Sequence, residues 1–273
     1  MNEENAIGEQ SRLTQMTTRC GWFHALISYK VWSYMGWMLI RNKYARTSIG
    51  PFWVPVLASM TGLLLATVYG ALWGISVAEF FPYIFSGLVI WSLIASLILD
   101  GVTAIQSQGS ILKNTTICPA TAGLSIFWRN CLSFAMTYPL ILVVSTINPG
   151  FSWWSVPVSL LGVVIALSLL APLMIILAYI GVRVADLSQV LQPVMLAFML
   201  ISPVFWPASQ LPANREFLAS LNPFNWLISV IRSPLFGVVP PANQWLGLLL
   251  LAVLMNIAVS KVIRKASLVK IAL

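Results

Sequence analysis

Charged residues are scarce in this 273-residue chain: Asp, Glu, Lys and Arg make up 8% of it, whereas 59% of the residues are hydrophobic. Soluble domains contain about 25% charged residues. A soluble globule with so few charges would expose large apolar patches and aggregate. The composition therefore excludes an ordinary water-soluble domain and indicates an all-α, polytopic transmembrane protein.

Residues that hold metals or catalyse reactions are also scarce. The three cysteines and the single histidine show no metal-ligand spacing. No Gly-Lys dipeptide occurs, so the phosphate-binding loop G-x-x-x-x-G-K-[ST] is absent, as are H-E-x-x-H and G-x-S-x-G. These absences argue against a membrane-embedded transferase. They predict that the chain is not an enzyme, holds no metal or cofactor, and hydrolyses no ATP by itself.

The apolar stretches contain almost no ionisable residues. The nearest is Arg129, which lies close to the predicted cytoplasmic end of a span. Intramembrane ionisable residues mark proton or ion relays, so the sequence argues against proton-coupled transport. Uphill transport by this chain would need a partner that supplies energy. The net charge of +8 does not indicate nucleic-acid binding, because the basic residues lie at the ends and in short loops.

Charged residues and turns separate six apolar stretches that are long enough to cross a bilayer. The stretch between Arg129 and Arg183 breaks at Asn148-Pro149-Gly150, which is followed by Trp153 and Trp154. Gly and Pro indicate a turn there, and paired tryptophans are typical of the membrane–water boundary. The predicted spans are residues 52–75, 83–99, 124–147, 156–181, 190–205 and 243–263.

The distribution of basic residues predicts the side of each terminus. Lys and Arg accumulate in cytoplasmic loops, and only Arg215 and Arg232 fall on the side opposite to the termini. The other basic residues are Arg12, Arg19, Lys30, Arg41, Lys43, Arg46, Lys113, Arg129, Arg183, Lys261, Arg264, Lys265 and Lys270. Both termini are therefore predicted to be cytoplasmic, and the first ten residues show no secretory signal pattern. The expected organisation is a cytoplasmic segment (1–50), a transmembrane domain (51–264) and a cytoplasmic tail (265–273).

Residues 20–40 are apolar enough to span a membrane, but Lys30 lies at their centre. A lysine at mid-bilayer costs roughly 3 kcal/mol. Apolar residues also follow helical spacing along one stripe: Leu26, Ile27, Val31, Tyr34 and Met38. We favour an amphipathic helix at the cytoplasmic surface, with a seventh span as the alternative.

Three stretches of the chain resemble one family. The first is the basic run Arg41-Asn42-Lys43-Tyr44-Ala45-Arg46, followed by Ile49-Gly50-Pro51-Phe52-Trp53. The second is Ile201-Ser202-Pro203-Val204-Phe205-Trp206-Pro207, and the third is Leu221-Asn222-Pro223-Phe224-Asn225-Trp226, followed by Arg232 and Leu235-Phe236-Gly237. In order and spacing they are similar to the ABC-2-type permeases of polysaccharide exporters, which export lipid-linked O-antigen, capsule or teichoic acid. The resemblance covers roughly residues 30–265.

The resemblance implies a function and a set of partners. It implies a multi-pass permease subunit of an ABC transporter in the bacterial inner membrane, exporting lipid-linked polysaccharide such as O-antigen for lipopolysaccharide biosynthesis. The permease would be a homodimer bound to two copies of a nucleotide-binding ATPase subunit. ATP and Mg²⁺ would be bound by that partner and not by this chain.

The resemblance also implies that residues 107–121 form a short coupling helix on the ATPase. The residues expected to make this contact are Lys113, Asn114, Thr115, Ile117 and Pro119. Cys118 stands where relatives often have an aromatic residue, which leaves the individual contacts open. An ordinary solvated loop is the alternative.

Residues 207–241 are too long and too apolar for a plain connection. In the family this region re-enters the bilayer as two short helices. We expect a periplasmic cap on the channel exit that includes Asn222, Pro223 and Arg232, with a surface-lying amphipathic pair as the alternative.

Two further groups are candidate substrate contacts. Aromatic rings can pack on the C–H faces of sugars, and those on spans one and five, which line the channel in this family, are Phe52, Trp53, Tyr69, Trp73, Phe198, Phe205 and Trp206. Lipid-facing or interfacial packing is the alternative for each ring. The basic residues Arg41, Lys43 and Arg46 would meet anionic headgroups or a pyrophosphate linkage, unless they only set the topology.

Two other functions remain open on the sequence alone. One is an ABC-2-type permease for a drug or a small lipid, which would share the fold and the ATPase. The other is an ATP-independent channel or scaffold protein, which would have no ATPase partner.

Overall fold

A computed structural model of the chain describes residues 21–115, 117–184, 186–207 and 220–268. The predictions made for Arg12, Arg19, Arg215 and Lys270, and those for residues 208–219 and 269–273, lie outside the described residues. Within the described ranges the long regular elements are α-helices, which confirms the all-α class. They are α1 (Trp22–Ile27), α2 (Tyr29–Tyr44), α3 (Trp53–Trp73), α4 (Val77–Ser107), α5 (Gly109–Asn114), α6 (Pro119–Ser145), α7 (Val156–Gly181), α8 (Leu187–Ile201), α9 (Pro223–Arg232) and α10 (Ala242–Leu268).

Five of these helices are long and apolar enough to cross a membrane: α3, α4, α6, α7 and α10. They correspond to the predicted first, second, third, fourth and sixth spans. The predicted fifth span, residues 190–205, corresponds to α8, which has 15 residues. At 1.5 Å per residue α8 is about 22 Å long, shorter than a hydrocarbon core of about 30 Å. The six-span topology and the side of each terminus therefore stay predictions.

The helix at the second span is longer than the sequence predicted. The expected span ended at residue 99, before Asp100, but α4 continues to Ser107. The Asp100 carboxylate has partners on α6: Arg129 Nη2 lies 2.5 Å from Asp100 Oδ2, and Asn130 Nδ2 donates to the same oxygen over 2.9 Å. Paired in this way, the charge is compatible with a continuous helix.

Helices α4, α6 and α7 form the centre of the bundle, and α3 and α10 pack at its periphery. The largest fully buried side chains include Phe85, Ile90, Ile94 and Leu97 of α4, and Leu170, Met174 and Ile175 of α7. By contrast, α3 and α10 expose rows of apolar side chains, such as Leu57, Leu64, Leu250 and Leu254. Such faces belong in lipid or against another apolar surface.

The short helix α9 packs tightly against α7. Ser159 Oγ accepts a hydrogen bond from the Tyr138 hydroxyl over 2.8 Å and donates to the carbonyl oxygen of Ile231 over 2.6 Å. One turn further along α7, a Cβ atom at Gly162 would overlap the carbonyl oxygen of Val230. The absence of a side chain at Gly162 therefore allows the two backbones to approach.

The apolar stretch of residues 20–40 does not form one helix. It breaks at Ser28, between α1 and α2. Trp22 is buried, and its Nε1 donates to Asn256 Oδ1 of α10 over 2.9 Å. Of the expected apolar stripe, Ile27 and Tyr34 are exposed. Neither helix is long enough to span a membrane alone, and both the position at the cytoplasmic surface and the alternative of a seventh span stay predictions.

The contact between α7 and α9 predicts the effect of adding one methyl group. Gly162→Ala is expected to lower the free energy of unfolding by about 1–3 kcal/mol, because the methyl group must displace the backbone at Val230. Thermal unfolding of the purified protein in detergent would measure this. Gly21→Ala is the matched control, since a Cβ at Gly21 meets nothing within 4 Å. Equal unfolding midpoints for the two variants would contradict this close packing.

Candidate functional site

Helix α9 is fixed at its first residue to the end of α8. Asn222 is its N-cap: Asn222 Oδ1 accepts a hydrogen bond from the Phe224 amide over 2.9 Å, and Pro223 occupies the first helical position. The other side-chain atom, Asn222 Nδ2, donates to Ser202 Oγ over 2.9 Å. One asparagine thus starts α9 and ties it to the residue that follows α8.

The last residue of α9, Arg232, carries a buried positive charge and is only 5% exposed. Its Nη2 donates to the hydroxyl of Tyr83 over 2.7 Å and to the carbonyl oxygen of Pro203 over 3.0 Å. Its Nη1 lies 3.3 Å from the carbonyl oxygen of Val204. The guanidinium carbon also lies 3.7 Å from the centre of the Tyr83 ring. We call Tyr83, Pro203, Val204 and Arg232 the arginine junction.

The arginine junction neutralises its charge with dipoles and a ring. No carboxylate forms an ion pair with Arg232 within the described ranges. Burial lowers the pKa of the Arg232 guanidinium from its ordinary value, and the oxygen of Tyr83 acts in the opposite direction. An arginine keeps its proton under such conditions. The cation is therefore stabilised by two carbonyl oxygens, a hydroxyl and the face of an aromatic ring.

The junction joins three parts of the chain: the start of α4, the segment after α8 and the end of α9. The Tyr83 hydroxyl lies 3.2 Å from the carbonyl oxygen of Trp206, and Trp206 Nε1 donates to the carbonyl oxygen of Leu200 over 3.1 Å. After Arg232 the chain turns at Gly237, whose φ of +75° favours glycine. Sequence reasoning placed Arg232 in the expected periplasmic cap between spans five and six, which stays a prediction, and the structure buries its side chain among backbone carbonyls.

Aromatic rings extend from the arginine junction in a continuous row. Tyr69 stacks on Trp73 with centroids 5.1 Å apart, and Trp73 contacts Phe80 at 5.6 Å. Phe80 in turn stacks on Tyr83 at 5.9 Å. Two of the predicted sugar contacts, Tyr69 and Trp73, thus belong to a row that leads from α3 to Tyr83. Their packing role is shown by these contacts, and contact with sugar stays a prediction.

The other predicted aromatic contacts lie in different surroundings. Phe198 packs on Phe224 of α9 with centroids 4.9 Å apart. Phe205 is buried, and Trp206 is half-buried. Phe52 and Trp53 are each 44% exposed at the start of α3. Of the predicted rings, Phe52 and Trp53 are therefore the ones most open to a ligand in this conformation.

The basic cluster and the expected coupling segment are both exposed. Arg41 and Lys43 lie in the last turn of α2, Arg46 follows it, and all three side chains are exposed. Cations at a helix C-terminus are also favoured by its dipole. The cluster is available to an anionic group, and its position is equally explained by helix electrostatics and topology.

The turn between α4 and α6 contains the short helix α5, as expected for residues 107–121. Leu112 is buried, and Gln108 Nε2 donates to the carbonyl oxygen of Ala122 over 2.7 Å and lies 3.1 Å from Ser125 Oγ. Among the predicted coupling residues, Lys113, Asn114 and Thr115 are exposed, whereas Ile117 and Pro119 are half-buried. The turn therefore holds a short helix firmly while presenting its polar residues outward.

Sequence reasoning missed two groups of interacting residues. It did not pair Asp100 with Arg129, and it did not select Tyr83 at all. A tyrosine near the start of an apolar span gives no signal beyond interfacial preference.

In the described part of the chain, no cluster of His, Cys, Asp and Glu is suited to a metal ion.

Comparison with known proteins supports the resemblance noted in the sequence. No family model matches the chain. The chain is 22% identical, over 196 residues, to the O-antigen export system permease protein RfbA of Myxococcus xanthus. The match covers 71% of this chain and 74% of that protein. With its apolar helices, the chain therefore resembles an ABC-2-type permease of O-antigen exporters and is a multi-pass membrane protein.

The contacts of the arginine junction predict that two substitutions lower the free energy of unfolding by different amounts. Arg232→Lys keeps the charge but cannot reach three acceptors, so it is expected to lower the free energy of unfolding by about 2–3 kcal/mol. Tyr83→Phe keeps the ring and removes only the hydroxyl, at a cost of about 1 kcal/mol. Thermal unfolding in detergent would measure both, with Tyr34→Phe, at an exposed tyrosine, as the control.

The double variant tests whether the two residues act together. Since Arg232 and Tyr83 are in direct contact, the double variant is expected to lose less stability than the two single losses combined. An Arg232→Lys protein as stable as the unmodified protein, or strictly additive losses, would contradict the arginine junction as described.

Proposed function

We propose that this chain is the membrane-spanning permease subunit of an ABC transporter that exports lipid-linked, O-antigen-like polysaccharide across the bacterial inner membrane. The observation that carries the proposal is the match to an O-antigen export permease over nearly three quarters of both chains. The set of apolar helices supports it, because such a permease is built from membrane-spanning helices.

The energy for export comes from a separate ATPase subunit in this proposal. The chain has no phosphate-binding loop of its own. Two permease chains and two ATPase subunits form the transporter, with ATP and Mg²⁺ bound to the ATPase. The exposed apolar side chains of α3 and α8, such as Met60, Leu64 and Leu196, support a surface that a second copy covers.

Helix α4 gives the exporter a mechanical link between its two ends. Tyr83 of the arginine junction lies near the start of α4, and Gln108, which fixes the expected coupling turn, follows its end. The 31 residues of α4 span about 46 Å. Movement of the coupling turn by the ATPase therefore reaches the arginine junction through one continuous helix.

The arginine junction serves as the outer closure of the channel in this mechanism. It holds α9 against α4 and α8, and α9 packs against α7 through Ser159 and Gly162. Opening would move α8 and α9 relative to α4 while the sugar chain passes. Aromatic rings such as Phe52, Trp53 and Phe198 offer contacts of low specificity for successive sugar units.

The coupling turn predicts how a charge reversal affects the assembled transporter. Lys113→Glu is expected to lower ATP turnover of the purified complex roughly tenfold, because it places a repulsive charge in the contact with the ATPase. Lys113 is exposed, so the fold should persist. The measurement is co-purification of the nucleotide-binding subunit in mild detergent, followed by an ATPase assay of the complex.

Lys265→Glu is the matched control: an exposed lysine in the last turn of α10, on a different helix from the coupling turn. It should retain the partner and the ATP turnover. A chain that purifies without any nucleotide-binding subunit would refute the proposed function and favour a channel or scaffold. Equal losses in both variants would refute the assigned role of the coupling turn.

A further inference from the structure

A groove of about 560 Å³ lies on the face of α10 that meets α1 and α7. Its volume falls within the range of small-molecule sites, and the groove is open along its outer side. The α10 residues that line it recur at helical spacing, from Leu249 through Val253 and Asn256 to Lys261 and Arg264. They therefore form one stripe, which extends over about 22 Å of helix.

The walls of the groove are held by hydrogen bonds between three helices. Trp22 Nε1 of α1 donates to Asn256 Oδ1 over 2.9 Å, and Asn256 Nδ2 lies 3.2 Å from the carbonyl oxygen of Ser168 on α7. Phe23, which follows Trp22, lines the opening and is 72% exposed. Asn256 thus forms the floor of the groove and connects both walls.

The groove is apolar at one end and cationic at the other. Leu249 and Val253 line the apolar end, and both are exposed. Lys261 and Arg264 line the other end, one to two turns before the end of α10, and both side chains are exposed. Lys265 is not part of the lining, because one residue along a helix turns the side chain by about 100°.

We propose that this groove binds a membrane phospholipid with an anionic headgroup. One acyl chain lies between Leu249 and Asn256, and the phosphate lies between Lys261 and Arg264. The stripe, about 22 Å long, matches one leaflet: half of a hydrocarbon core of about 30 Å, plus part of the headgroup layer. The proposal needs only that α10 spans the membrane, and it does not depend on the exported substrate.

The polarity of the groove favours a lipid over other occupants. A water-soluble anion would gain nothing from the apolar half, and a neutral lipid would gain nothing from the two cations. A second copy of the chain would place its own cations against those of the groove if the contact were symmetric, which is repulsive. An anionic amphiphile satisfies both halves at once.

The proposal is tested by lipid binding to the full-length chain, with any subunit that co-purifies, by native mass spectrometry. The probes are phosphatidylglycerol and phosphatidylcholine with identical acyl chains. Each basic residue near an anionic lipid contributes about a fivefold factor in affinity, so Lys261→Gln with Arg264→Gln should weaken phosphatidylglycerol binding roughly twenty-fivefold. Lys265→Gln, on the adjacent face, should leave it unchanged.

A second pair of variants tests the apolar half. Val253→Trp fills the groove with a ring and should displace phosphatidylglycerol, whereas Leu254→Trp, at an equally exposed neighbouring position outside the lining, should not. Both positions are exposed, so neither variant requires the core to repack. Thermal unfolding without added lipid verifies that both variants are folded.

Several results would overturn the proposal. Equal retention of the two lipids would show that the cations do not select the headgroup. Equal weakening by Lys265→Gln would show a diffuse attraction and no defined site. Complete competition by soluble glycerol phosphate would identify an anion site without a lipid chain. A change in oligomeric state on Val253→Trp, with lipid binding intact, would identify the groove as a contact between copies.

Discussion

Backbone groups that are withdrawn from water must find partners inside the protein, and this requirement applies to the buried segment that follows helix α8. Among the described residues, the carbonyl oxygens of Pro203 and Val204 accept hydrogen bonds from side chains and from no backbone amide. Arg232 reaches both of them from the end of α9. Two other features are compatible with this contact. The N-cap of α9, Asn222, donates a hydrogen bond to Ser202, and α9 packs closely on α7.

The same contact explains why a charge is tolerated so far from water. A guanidinium offers five donors in a fixed plane, so one side chain can serve two carbonyls and a hydroxyl while its face rests on a ring. Tyr83 belongs both to the row of aromatic rings that starts at Tyr69 and to the first turns of α4. Helices α4 and α9 are therefore in direct contact through the Tyr83 ring and its hydroxyl.

Much of the fold follows from the sequence because a membrane-spanning helix needs a long apolar run, and charged residues mark where each run ends. The turn at Asn148-Pro149-Gly150 was predictable from its turn residues, whereas the short helix α5 was expected only from the resemblance to a family. The pairing of Asp100 with Arg129 was not predictable, since Arg129 is 29 residues away and on another helix. The burial of Arg232 was hidden for the same reason: periodicity describes one helix, and partners from other helices leave no periodic signal.

Because Arg232 is buried, it adds no positive charge to the surface on the predicted outer side. With the termini inside, the outer segments contain Arg215 and Arg232, and only a charge that reaches the surface can act on a passing chain. Backbone oxygens and Tyr83 accept the hydrogen bonds of Arg232, so its charge does not reach the surface. Arg41, Lys43 and Arg46 remain exposed, on the side predicted to be cytoplasmic. In the proposed exporter, anionic headgroups would thus be attracted where the substrate enters, and Arg232 would add no surface charge to retain it at the exit.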